Sequence, residues 1–90
     1  MSPRRPQLSD MLDPEVSVIF PQIMRHNMCC GFVKHGGGVR CKLPATVFYL
    51  DWYDGSRWYV SVNGFCGACD PKVGAPVTLD EVEVVLVMKL

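Results

Sequence analysis

The sequence lacks a charge excess of either sign: nine Lys and Arg balance nine Asp and Glu across 90 residues. A general polyanion binder, held by net charge alone, is therefore not expected. Long apolar runs are also missing. Nothing approaches the roughly 20 consecutive apolar residues that cross a bilayer. The start, "MSPRRPQLSDMLDPEV", carries positive charge with no apolar stretch behind it, so it does not read as a signal peptide. The expectation is an intracellular, cytoplasmic protein with no membrane partner. Internal repeats and low-complexity tracts are absent too. The glycine run Gly36–Gly38 is not followed by Gly-Lys-Ser/Thr in a strand-to-helix setting, which excludes a phosphate-binding loop.

What is present is apolar. Hydrophobic residues make up 49% of the chain, ample for a core and too many for a disordered chain. Chains this short bury a limited share of their surface and often rely on a metal or on disulfides. Five cysteines are available. In a reducing compartment, closely spaced cysteines point to metal or catalysis more than to a disulfide framework. The odd count fits four ligands and one spare. Charge is uneven along the chain: residues 1–45 hold six basic and three acidic residues, and residues 46–90 hold three and six.

Residues 1–10, with two prolines and two arginines, read as a loose arm, and residues 11–90 as one domain. Ser9 or Asp10 suits the cap of a single helical turn that Pro14 would limit. "EVSVIF" alternates, and Pro21 confines it to a sheet edge or ends it. The strongest pattern is "ATVFYLDWYDGSRWYVSVNGF", two strands rich in aromatic and β-branched residues around Asp54-Gly55. A loop over residues 54–56 pairs Trp52 with Trp58, Leu50 with Val60 and Phe48 with Val62. That register gathers the apolar side chains on one face and leaves Tyr49, Asp51, Tyr53, Tyr59 and Ser61 on the other. "TLDE" matches a helical capping box, but the valines of "VEVVLVMKL" favour a strand. The resulting expectation is a small mainly-β or α+β domain, an antiparallel sheet with a central β-hairpin, stabilised by a metal site.

The hairpin explains "NGFCGACDP". Its register carries Cys66 and Cys69 to the strand ends, near the point where Cys41 enters. Antiparallel strands lie roughly 5 Å apart and zinc–sulfur bonds are about 2.3 Å long, so one ion spans both ends. Taking Cys30 as the first ligand gives Cys-x10-Cys-x24-Cys-x2-Cys. Cys29, His26 and His35 compete for that place. Gly31 and Gly36–Gly38 suit a tight loop around an ion. Over residues 29–70 the pattern resembles small zinc-ribbon or treble-clef-like domains, in which a Cys-x2-Cys turn meets a second ligand pair across a hairpin. The resemblance implies one structural Zn²⁺ held by Cys41, Cys66, Cys69 and one upstream ligand, with Cys30 favoured over Cys29, His26 and His35 for that place. The spacing of the first pair departs from the two to four residues usual in such domains.

A four-coordinate ion organises structure and leaves no position for substrate. The expected function is a non-catalytic zinc-binding module acting through a protein partner, as an adaptor or inhibitor of the intracellular or phage-encoded kind. The outward tyrosines Tyr49, Tyr53 and Tyr59, with Lys34, Arg40 and Lys42, are the candidate contact residues. The alternative is nucleic-acid binding by a basic strip of Arg4, Arg5, Arg25, Lys34, Arg40 and Lys42 with aromatic stacking. A thioredoxin-like centre is excluded, because Pro71, Gly74 and Pro76 follow the Cys-x2-Cys turn where a helix would have to open. No motif supports a Cys29–His26 nucleophile pair.

Overall fold

The computed structural model describes residues 4–20, 28–31 and 40–89. Its elements run α1 (Leu8–Met11), β1 (Ser17–Ile19), β2 (Val47–Trp52), β3 (Tyr59–Phe65) and α2 (Leu79–Lys89). The strands form one sheet in the order β1-β3-β2, and the fold is a small α+β domain around the expected hairpin.

β2 and β3 pair antiparallel, with Trp52 opposite Val60, Leu50 opposite Val62 and Phe48 opposite Gly64. This is two residues away from the expected register. Because side chains alternate with a period of two, such a shift leaves each residue on its face. Phe48, Leu50, Val60 and Val62 are buried as anticipated, with Trp52 packed beside them. Trp58, expected opposite Trp52, is instead 54% exposed. The loop is longer because Asp54 and Gly55 take successive positive φ angles of 52° and 72°. Two stepped turns then close it, Ser56 N–H donating to the Tyr53 carbonyl and Tyr59 N–H to the Ser56 carbonyl.

β1 lies at a sheet edge, as Pro21 foretells, but runs parallel to β3, with Val18 opposite Val60. The sheet is therefore mixed. A parallel pair needs a crossover of a dozen or more residues, where an antiparallel pair can use a tight turn, and residues 20–46 separate β1 from the hairpin.

The segment after Thr78 is a helix, which corrects the strand expectation. The capping box decides it. Thr78 Oγ1 accepts from the Glu81 N–H at 3.1 Å, and Glu81 Oε1 accepts from the Thr78 N–H at 3.2 Å, satisfying two otherwise unpaired donors of the first turn. Val82 and Val85 are buried, with Leu79 and Leu86 packed alongside, so one helical face closes the core over the sheet. That packing outweighs the modest helix penalty of β-branched side chains. At the other end the Lys89 ammonium donates to the Met11 and Val16 carbonyls, joining α2 to α1 and β1.

Residues 4–10, read from the sequence as part of a loose arm, are held against the sheet. Arg4 makes a two-pronged ion pair with Asp10 at 2.6 and 2.8 Å, and its carbonyl accepts from the Trp52 indole at 2.7 Å. Arg5 donates to the Leu50 carbonyl at 3.1 Å, and Pro6 is buried. The cap of α1 is Gln7, one turn before Asp10, and not Ser9 or Asp10.

Replacing Thr78 by Ala should lower unfolding stability by about 1 kcal/mol, the usual worth of a helix N-cap. Urea denaturation followed by circular dichroism measures this. An unchanged midpoint would mean that the cap contributes nothing to α2.

Candidate metal centre

Beyond the open end of the hairpin lies a second, smaller buried cluster, built from sulfur. Cys29, Cys41 and Cys66 are buried there, with Cys69 and Phe65 packed against them. Three chain segments supply the thiols. Cys29 lies in an extended stretch pinned on both sides: its N–H donates to the Leu43 carbonyl, and the next amide, of Cys30, donates to the Gly64 carbonyl. Cys41 is fixed by its N–H bond to the Gly31 carbonyl. Cys66 and Cys69 leave β3 in a tight turn closed by the Cys69 N–H on the Cys66 carbonyl.

The ligating atoms of Cys29, Cys41, Cys66 and Cys69 all lie within 4.8 Å of one another, and the Cys41 and Cys66 sulfurs are 3.8 Å apart. A tetrahedron with metal–sulfur bonds of about 2.3 Å has sulfurs about 3.8 Å apart, so the four cysteines are positioned to bind a metal ion. All five cysteines are free thiols.

Two local features favour that use. A Cβ on Gly31 would lie 2.7 Å from Cys69 Cβ and 3.0 Å from its sulfur, so only glycine lets this segment approach. The Gly31 N–H also donates to the Cys29 sulfur at 3.3 Å, which offsets part of the negative charge that thiolates accumulate around a divalent ion.

The expected set gains three of its members together, Cys41, Cys66 and Cys69, and takes Cys29 where Cys30 was favoured. The reason is the alternation of an extended chain. With successive side chains pointing to opposite sides, Cys29 faces the sulfurs and Cys30 packs against the main hydrophobic core. His26, His35 and Lys34 lie outside the described residues, as do Arg25 and Gly36–Gly38. Arg40 and Lys42 are exposed on the segment leading into and past Cys41.

Tyr49 corrects a second expectation. It is 4% exposed rather than outward, stacked at a tilt on Phe65, and its hydroxyl donates to Asp70 Oδ1 at 2.5 Å. Asp70 follows Cys69 directly and also accepts the Lys72 N–H at 2.9 Å. Tyr49 therefore braces the Cys-x2-Cys turn from the sheet. This bond holds the Asp70 carboxyl below its ordinary range and pushes the Tyr49 phenol up. A carboxylate-plus-proline ending, "CDP", was the available signal for an anchored turn. Tyr53 and Tyr59 remain exposed.

The thiols are unequal. Burial pushes Cys66 up, but hydrogen bonds from the Cys69 amide, the Cys69 and Cys41 thiols and the Ala68 amide outweigh it and bring the group down to about 7. Cys69, sharing its proton with Cys66 and buried beside Cys29, is pushed up to about 12. Cys41 is also raised: the Leu43 amide favours its thiolate, but burial and the shared protons of Cys66 and Cys29 prevail. Of these three thiols Cys66 ionises most readily, and the protons of Cys41 and Cys69 must leave as an ion enters. Comparison with protein-family models, with curated proteins and with solved structures found no match.

Three outcomes follow from this geometry. Cys29→Ser should abolish tight metal binding while Cys30→Ser keeps it, as read by competition with a chromophoric chelator; equal losses would contradict the assignment. Gly31→Ala should displace Cys69, costing about 1–3 kcal/mol in the manner of an overpacked core and weakening metal binding. Metal affinity should fall as pH drops from 8 to 6, because protons compete for the Cys41 and Cys69 thiolates, whose values are raised, and because Cys66 itself is protonated through about 7. With at least the Cys41 and Cys69 protons displaced per ion, the loss is about a hundredfold or more per pH unit, and a flat profile over that range would contradict it.

Proposed function

We propose that the chain is a zinc-stabilised, non-catalytic module of ribbon-like type that works by binding another protein. The observation that carries the first half is the four-cysteine cluster joining three chain segments. Four soft thiolates gathered within reach of one ion suit zinc, whose structural sites are closed by protein ligands. Bound there, the ion would supply folding energy and no reactive position. Cys29, Cys41, Cys66 and Cys69 would hold it, and Tyr49 and Asp70 would orient the turn that carries two of them.

Protein binding is supported by what folding leaves outside. Tyr53, Trp58 and Tyr59 sit exposed at the loop end of the hairpin, and Val84, Val87 and Met88 on the outer side of α2. Apolar and aromatic side chains held at the surface of a small domain mark contact regions. Five free thiols fit a reducing, intracellular setting. Among the described residues no helix is long and apolar enough to cross a membrane.

The test begins with elemental analysis of protein purified under reducing conditions, expected to give one zinc per chain. Structural zinc contributes an apparent 10–16 kcal/mol or so in small domains, comparable with a domain's whole net stability. Chelation should therefore collapse the circular dichroism signal, and zinc should restore it. Partner binding from a cell extract should require the zinc-loaded form and vary with salt less steeply than nucleic-acid binding does. Absence of zinc would remove the first half of the reading. Oligonucleotide binding with a steep salt dependence would replace the second.

A further inference from the structure

α2 carries a second apolar face that the core does not use. Leu79, Val82, Val85 and Leu86 point to the core, yet the opposite side is apolar as well. Val84, Val87 and Met88 are 58%, 71% and 67% exposed. Their i, i+3, i+4 spacing makes them one continuous stripe. A continuous apolar stripe on a helix is ordinarily a buried one, so this stripe implies a covering partner. Exposed methionine at its end adds a side chain that adapts to a partner's shape.

Charge says what kind of partner. Asp80 and Glu83 border the same shallow recess as Val84, Val87 and Met88. Neither carboxylate has a hydrogen bond or ion pair with any described residue. The basic residue of the helix, Lys89, is turned inward onto the Met11 and Val16 carbonyls. Among the described residues the face is therefore an apolar centre with an acidic rim and no base of its own. A second copy of the chain laid on it would bring acids and no bases, leaving four carboxylates without counter-charge. A basic partner neutralises them.

We propose that the outer face of α2 docks a partner's amphipathic helix whose apolar stripe is flanked by Lys or Arg. Val84, Val87 and Met88 receive the apolar anchors, as in other helix-on-groove contacts. Asp80 and Glu83 select the basic rim and speed encounter, the usual contribution of complementary charge. The inference rests on the protein-binding reading and places its surface.

The test uses the zinc-loaded full chain and a displayed library of helical peptides with a fixed apolar stripe and randomised flanking residues. Selection against wild type, with counter-selection on Val87→Asp, should enrich Lys and Arg in the flanks. Binding of the best peptide, read by fluorescence anisotropy, should weaken about tenfold or more in Asp80→Lys/Glu83→Lys, about 1.4 kcal/mol. Zinc content and circular dichroism should stay unchanged, since all of these side chains point outward. If Val87→Asp fails to fold, the charge-reversed pair still decides. Acidic or unbiased flanks, or no enrichment over the counter-target, would overturn the proposal. So would a dimer in sedimentation of the protein alone that Val87→Asp dissociates, which would make a second copy the occupant. If the natural partner's binding survives the α2 changes but is lost in Tyr53→Ser/Tyr59→Ser, this inference fails and the protein-binding reading stands.

Discussion

The convergence of four sulfurs from three separate chain segments is the constraint on which the rest of this domain depends. The segment at Cys29 and the segment at Cys41 have little regular structure of their own, and each is tied to the other by backbone bonds, Cys29 to Leu43 and Cys41 to Gly31. Only the Cys66–Cys69 turn grows directly from a strand. An ion bound to all four would fix the open end of the hairpin as the helices fix its core face. Among the described residues the fully buried aliphatic side chains of the main core are Met11, Val60, Val62 and Val82. A chain of this size has little burial to spare.

The two clusters meet through the hairpin. Even-numbered residues of β2 and β3 face the helices, and odd-numbered Tyr49 and Phe65 lean toward the cysteines. Cys29 and Cys30, adjacent in sequence, belong to different clusters because the extended chain alternates. Tyr49 carries the coupling further, from the sheet to Asp70 and so to the turn holding Cys66 and Cys69. The same residue that looked like an interface tyrosine is a brace for the cysteine cluster.

Much of this was legible in the residues. The hairpin's inward set followed from alternation, and three of the four clustered cysteines followed from where a hairpin brings its ends. Cys29 against Cys30 was not legible, since choosing between neighbours in an extended segment requires knowing which side faces the sheet. The helix at Leu79–Lys89 was signalled by "TLDE" and masked by β-branched residues, whose strand preference yields to packing on the sheet. The loop at Asp54-Gly55 was recognisable, but its length depended on two stepped turns that composition does not distinguish. Tyr49 was misplaced because what covers the outer face of a sheet comes from beyond its strands, here from Asp70 in the turn after β3, while Phe65 packs beside it on the same hairpin. Arg4 and Arg5, read as part of a basic strip, are engaged by Asp10 and the Leu50 carbonyl.

The most direct measurement of the central claim is zinc-edge X-ray absorption on protein purified from cells in reducing buffer. The account predicts a first shell of four sulfur atoms at about 2.3 Å, with no nitrogen or oxygen. A shell containing nitrogen would draw a histidine into the site, and an absent zinc edge would leave the four cysteines as a packing cluster; either result would contradict the account.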